Sequence, residues 1–123
     1  MQIEKNTFNN DKYLSEKEAR EEYAKNEIAA QIIKEIKMRK DGCATYSVTD
    51  GSCYRNTRFT LSNGKEYSPN ERMMMEIAKA FVIAGYFCYD LDASNRHGYW
   101  RKFLFSNRSI DTSYFGASIK QIM

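Results

Sequence analysis

Few side chains in this chain are equipped for chemistry: one histidine, His97, three cysteines, Cys43, Cys53 and Cys88, and an i, i+2 aspartate pair, Asp90 and Asp92. A nucleophilic Ser or Cys needs a base within hydrogen-bond reach, and His97 is the only imidazole available. It stands beside Gly98 in a run of turn formers, so an exposed loop histidine is the expectation, with a Cys88–His97 pair across a hairpin as the catalytic alternative. The three cysteines and His97 lack the close paired spacing of a structural zinc site. On a strand Asp90 and Asp92 would share a face and could hold a cation, although a solvated strand end is the plainer reading. Neither GxxxxGK[ST] nor GxGxxG occurs, so no phosphate-cradling loop is expected. The chain reads as non-enzymatic, with no metal or cofactor.

Binding is the other chemistry on offer. Residues 94–108, SNRHGYWRKFLFSNR, interleave Arg96, Arg101, Lys102 and Arg108 with Tyr99, the lone Trp100, Phe103 and Phe105. A strand of this composition can stack on bases and neutralise phosphates. Strand alternation places Tyr99, Arg101, Phe103 and Phe105 on one face and Trp100, Lys102 and Leu104 on the other. The first face is the candidate stacking platform, with core packing of Phe103 and Phe105 as the alternative. The signature of an RNA-recognition sheet is absent. Cationic side chains also guard sheet edges against self-pairing, which needs no partner at all. Because Trp, Tyr and Arg dominate interface hot spots, the expected partner-binding residues are Arg96, Tyr99, Trp100, Arg101 and Lys102. Tyr54, Arg55 and Arg58 would extend the surface if the two hairpins are neighbours.

Charge alone does not select nucleic acid: 19 basic residues face 16 acidic ones. The excess is local, with five basic residues against Asp111 from Ala93 onward. An apolar share of 42% over this length predicts one folded domain with its own core. The polar start, MQIEKNTFNNDKY, has no secretory apolar region, and EIAKAFVIAGYFCY is too short and too charged to span a bilayer. A soluble, cytoplasmic chain with reduced thiols is therefore expected, a Cys43–Cys53 disulfide being the alternative.

The elements that must position these residues follow from periodicity. After a polar arm over 1–14, Ser15 and Glu18 form a capping box that opens a helix running to about Lys40. Its stripe is Ala29, Ile32, Ile33 and Ile36, with Ala19 and Tyr23 as a weaker extension, and Gly42 suits its left-handed end. ATYSVT and CYRNTRFTLS flank Asp50-Gly51 as a hairpin, and Asn63-Gly64 makes a second turn before a strand stub at 65–67. A second helix begins with Ser68 as N-cap and Pro69 in its first turn. Met74, Ile77, Ala78 and Phe81 form its stripe, broadened by Met73, Met75, Val82 and Ile83. The Met73–Met75 run reads as core filling, with an adaptable contact surface as the alternative. Gly85 ends that helix. YFCYDL and YWRKFLF pair across DASNRHG, and the tail over 109–123 ends as a short helix or an edge strand. The fold class is α+β: a largely antiparallel sheet of about four strands, from two hairpins, with two main helices on one face.

This order of elements resembles that of many small phage-encoded proteins. The residues that carry the likeness are EIAAQIIKEIKMRKDG, SPNERMMMEIAKAFVIAGYFCYDL and YWRKFLFS, spanning about residues 20–106. The arm and the tail depart from the pattern. The resemblance implies no catalytic residue. It implies a virion part or a protein that disables a host enzyme or defence system by binding it. The expectation is thus a phage or mobile-element inhibitor that binds a host or defence protein in the bacterial cytoplasm. A nucleic-acid-binding module using the same hairpin is the first alternative and a virion component the second.

Overall fold

The structure, a computed structural model, is described for residues 16–49, 56–92, 100–113 and 118–123. The arm, Ser15 of the capping box, the Asp50-Gly51 turn, Cys53, Tyr54, Arg55, Arg96, His97 and Tyr99 lie outside the described residues.

The first helix, α1 (Glu16–Met38), is continuous. Ala24, Ile28, Ala29, Ile32 and Ile36 are its buried positions, an i, i+4, i+5, i+8, i+12 stripe of the kind that seats a helix on a sheet. The expected upstream extension is displaced by one residue. Tyr23 is exposed and Ala24 is fully buried, because the small side chain lets the helix approach its neighbours. The helix stops at Met38, ahead of the expected end at Gly42; Gly42, with φ +69°, closes the turn that follows, its N–H donating to Arg39 O at 3.2 Å. A Cβ at Gly42 would also collide with the Asn107 side chain.

The second helix, α2 (Glu71–Ile83), starts two residues later than the sequence pattern predicts. Asn70, not Ser68, is the N-cap, and its side chain accepts from Met73 N at 2.8 Å. Pro69 and Met74 then occupy the positions of a hydrophobic staple, and both are buried. A complete Schellman closure ends the helix. Tyr86 N donates to Phe81 O, Gly85 N donates to Val82 O, and the Phe81 and Tyr86 rings meet edge-on at 5.0 Å. Met73, Met74, Ile77, Ala78 and Phe81 are buried, so the methionines fill the core. Ile83, expected to broaden the stripe, is 88% exposed.

Strands β1 (Cys43–Thr49), β4 (Phe87–Asp92), β5 (Trp100–Ser106) and β6 (Ile119–Ile122) form an antiparallel sheet in the order β1-β5-β4-β6. The short strands β2 (Phe59–Thr60) and β3 (Glu66–Tyr67) pair separately around Asn63-Gly64. The architecture is the α+β sheet the pattern predicts, with two helices on one face. Its strands are recruited differently, however. Among the described residues the first hairpin lends β1 to the main sheet, and the tail supplies the fourth strand. The described residues 56–58 run beside β1 without a strand pairing: Thr57 N donates to Ser47 O, Thr57 Oγ1 accepts from Ser47 N, and Asn56 Oδ1 accepts from Thr49 N. These contacts satisfy the β1 edge, which blunts it for pairing with another chain.

The core lies between the helices and one sheet face, where Ala44, Val48, Cys88, Phe103, Phe105 and Ile122 are buried. Ring contacts run from Phe59 through Tyr46 and Phe105 to Phe81, with centroids 5.0 to 5.9 Å apart. This chain of rings joins the small hairpin, the sheet and α2.

Candidate functional site

The expected surface divides at Arg101. Phe103 and Phe105 are fully buried, so the face proposed as a stacking platform is the face that packs on the helices. Arg101 shares it. Its side chain is 23% exposed and meets three carboxylates: Nη2 to Asp90 Oδ2 at 3.2 Å, Nη1 to Asp92 Oδ2 at 3.5 Å, and Nε to Glu71 Oε2 at 3.1 Å. The Glu71 contact is a charge contact rather than an aligned hydrogen bond. Arg101 therefore ties the end of β4 and the start of β5 to the first turn of α2. Its charge is thus committed within the fold to those three carboxylates.

The same geometry answers the question of Asp90 and Asp92. They do share a strand face, and the cation between them is the Arg101 guanidinium. Asp90 is only 8% exposed. Burial pushes its carboxyl above the ordinary aspartate value, assisted by the charges of Glu71 and Asp92, while Arg101 pulls the other way.

Lys102 belongs to the opposite face and is exposed. Its register neighbours are Ser47 on β1 and Leu91 on β4, both half-buried, as is Leu104 two residues along. Among the described residues no helix covers this outer face. A return segment after β5 covers part of it instead. Ser106 Oγ donates to Arg108 O at 2.6 Å and accepts from Arg108 N, Arg108 reaches Asp41 O through two donors, and Tyr89 Oη accepts from Ile110 N at 2.9 Å. Tyr89 and Ser106 are buried under that segment, whereas Lys102, toward the other end of β5, is open.

Trp100 is the first residue of β5, paired in register with Thr49. Because β1 and β5 are neighbours, the hairpins meet as the extended surface requires. Asn56 and Thr57 bond to Thr49 and Ser47, the residues opposite Trp100 and Lys102, and the exposed Arg58 follows directly. The structure thus brings Trp100, Lys102 and the 56–58 segment to one end of the sheet. Sequence reasoning missed Glu71, Asn56 and Thr57 here. Glu71 carried a signal as an acid in a helix first turn, but its pairing with Arg101 is purely tertiary.

Nucleophilic chemistry finds no support at Cys88. The thiol is 1% exposed and burial pushes its pKa up to about 12, which leaves no thiolate for attack at neutral pH. Cys43, expected to pair with Cys53 in the alternative, carries a free thiol that donates weakly to Asp41 O and Ser106 Oγ. Among the described residues no helix is long and apolar enough to cross a membrane. Comparison with family models, with curated proteins and with solved structures finds no match to this chain.

Proposed function

We propose that this protein acts by binding another macromolecule rather than by catalysis, and that the contact surface is the open end of the outer sheet face. Its described members are Lys102 on β5, Leu91 on β4 and Arg58 beside β1, with Trp100 opening β5 at the same end. Arg96 and Tyr99 fall between β4 and β5 in the sequence, and Tyr54 and Arg55 between β1 and Asn56; all four lie outside the described residues. The partner is a host or defence protein that the chain antagonises, in the setting of a phage or mobile element.

One observation carries the choice of a protein partner. An exposed lysine sits between half-buried leucines on a face that no described helix covers, and a mixed apolar and cationic surface of this kind suits a protein interface. A duplex or single strand would draw on more cations, yet the neighbouring Arg101 has its charge committed to Glu71, Asp90 and Asp92. The test is the salt dependence of complex formation with the captured partner. A protein interface of this composition weakens little between 50 and 200 mM salt, on the order of a few-fold. A loss of about 10³-fold or more over that range would transfer the surface to nucleic acid.

A further inference from the structure

Asp90 and Ser106 are the buried polar residues among those described, and they are treated very differently. Ser106 Oγ has Arg108 on both its donor and acceptor sides and the Cys43 thiol as well. Asp90 Oδ2 accepts from Arg101 Nη2, but Asp90 Oδ1 is shut off from solvent and has no donor. An ionised carboxylate is an acceptor at both oxygens, so this one is held half-satisfied in a place water does not reach.

Ordinarily a buried aspartate stays charged because losing its charge would strand the cation it faces. That restraint is missing here. Arg101 also meets Asp92 and Glu71, so Asp90 can give up its charge while the guanidinium keeps two carboxylates. The groups acting on Asp90 are Arg101 from β5, Glu71 from α2 and Asp92 from its own strand. From β6, the exposed Lys120 is its register partner. Asp90 is the most enclosed of the three acids and the one with an oxygen left over.

We propose that Asp90 is a proton-operated tie at the end of the sheet. Ionised, it holds Arg101 to β4 together with Asp92; protonated from solvent, it leaves the guanidinium to Glu71 and Asp92, which weakens the link to β4 relative to the link to the α2 N-terminus. Strand β4 ends at Asp92 and β5 begins at Trp100, so the tie sits at the base of the 93–99 connection. It does not depend on what the protein binds.

The test is a pH titration of the uniformly ¹³C,¹⁵N-labelled chain, following the Asp90 side-chain carboxyl carbon together with the Arg101 Nε–H and the Glu71 and Trp100 backbone amides. The expected result is an Asp90 midpoint above the ordinary aspartate value, with the Arg101 and Glu71 signals moving at that same midpoint. In D90N those signals should lose that step while the rest of the spectrum stays folded. In E71Q the Asp90 midpoint should fall, since a neighbouring negative charge has gone. An Asp90 midpoint at or below the ordinary value would overturn the proposal, and so would Arg101 and Glu71 signals indifferent to its titration.

Discussion

Replacing Arg101 with Met keeps most of the buried stem but deletes the guanidinium, and the structure sets the size of the effect. Asp92 and Glu71 are half-exposed side chains and recover water when the cation goes. Asp90 cannot, because its environment excludes solvent and Arg101 is the donor it has. Stranding a buried charge in this way costs about 3 to 5 kcal/mol when both partners are enclosed. Arg101 keeps some exposure, and Asp90 can escape part of the penalty by protonation, so R101M should lose about 2 to 3 kcal/mol. D90N removes the charge that the site tolerates worst and should fall within about 1 kcal/mol of wild type. The double variant R101M/D90N should then be more stable than R101M alone, an interaction of about 1 to 2 kcal/mol between contacting residues. Urea unfolding with unchanged slope is the assay. If D90N costs as much as R101M, the Asp90–Arg101 pair is a conventional stabilising salt bridge and the reasoning fails.

Further consequences are open to measurement. Between the ordinary aspartate value and the raised one of Asp90, the folded state binds more protons than the unfolded state. Stability from this group therefore declines as pH rises through that interval, and D90N should flatten the decline in a pH series of unfolding midpoints. Glu76 has the opposite sign. Burial opposes its ionisation, but Lys25 and Arg72 outweigh burial and lower its carboxyl. Its contribution is thus present above the unfolded value and lost as pH falls, and E76Q should lose that acid-limb slope. G42A imposes a side chain at φ +69° and drives it into Asn107; it should cost about 1 to 3 kcal/mol, less in a G42A/N107G background. Y89F deletes the acceptor for Ile110 N and should cost about 1 kcal/mol, with faster hydrogen exchange at Ile110.

Local chemistry was legible in the sequence wherever it was contiguous. Gly85 marks the end of α2 and Gly42 the turn beyond α1 because a left-handed backbone needs glycine and the signal lies at one position. The helix stripes, the Asn63-Gly64 turn and the last hairpin were readable for the same reason. The second helix start was misread because Ser68-Pro69 and Pro69-Asn70 both satisfy the local rules, and the burial of Pro69 and Met74 chose between them. Strand partnership was not legible. Residues 56–60 alternate like a returning strand, yet Phe59 turns into the core beside Tyr46, and β5 takes the place beside β1. The division of the basic–aromatic strand was half visible: alternation separated Arg101 from Lys102. Which face was core depended on the helices, and the three carboxylates on Arg101 come from α2 and β4.

The most direct test of the binding account is capture of partners from bacterial lysate by the tagged chain after nuclease treatment, run side by side with R58E/K102E. That variant reverses two exposed cations at this end of the sheet and leaves Arg101 and the core untouched, so its unfolding midpoint should match wild type. The account predicts a stoichiometric protein retained by the wild-type chain and lost by the folded variant. Equal capture by both chains, or recovery of nuclease-sensitive nucleic acid alone, would contradict it.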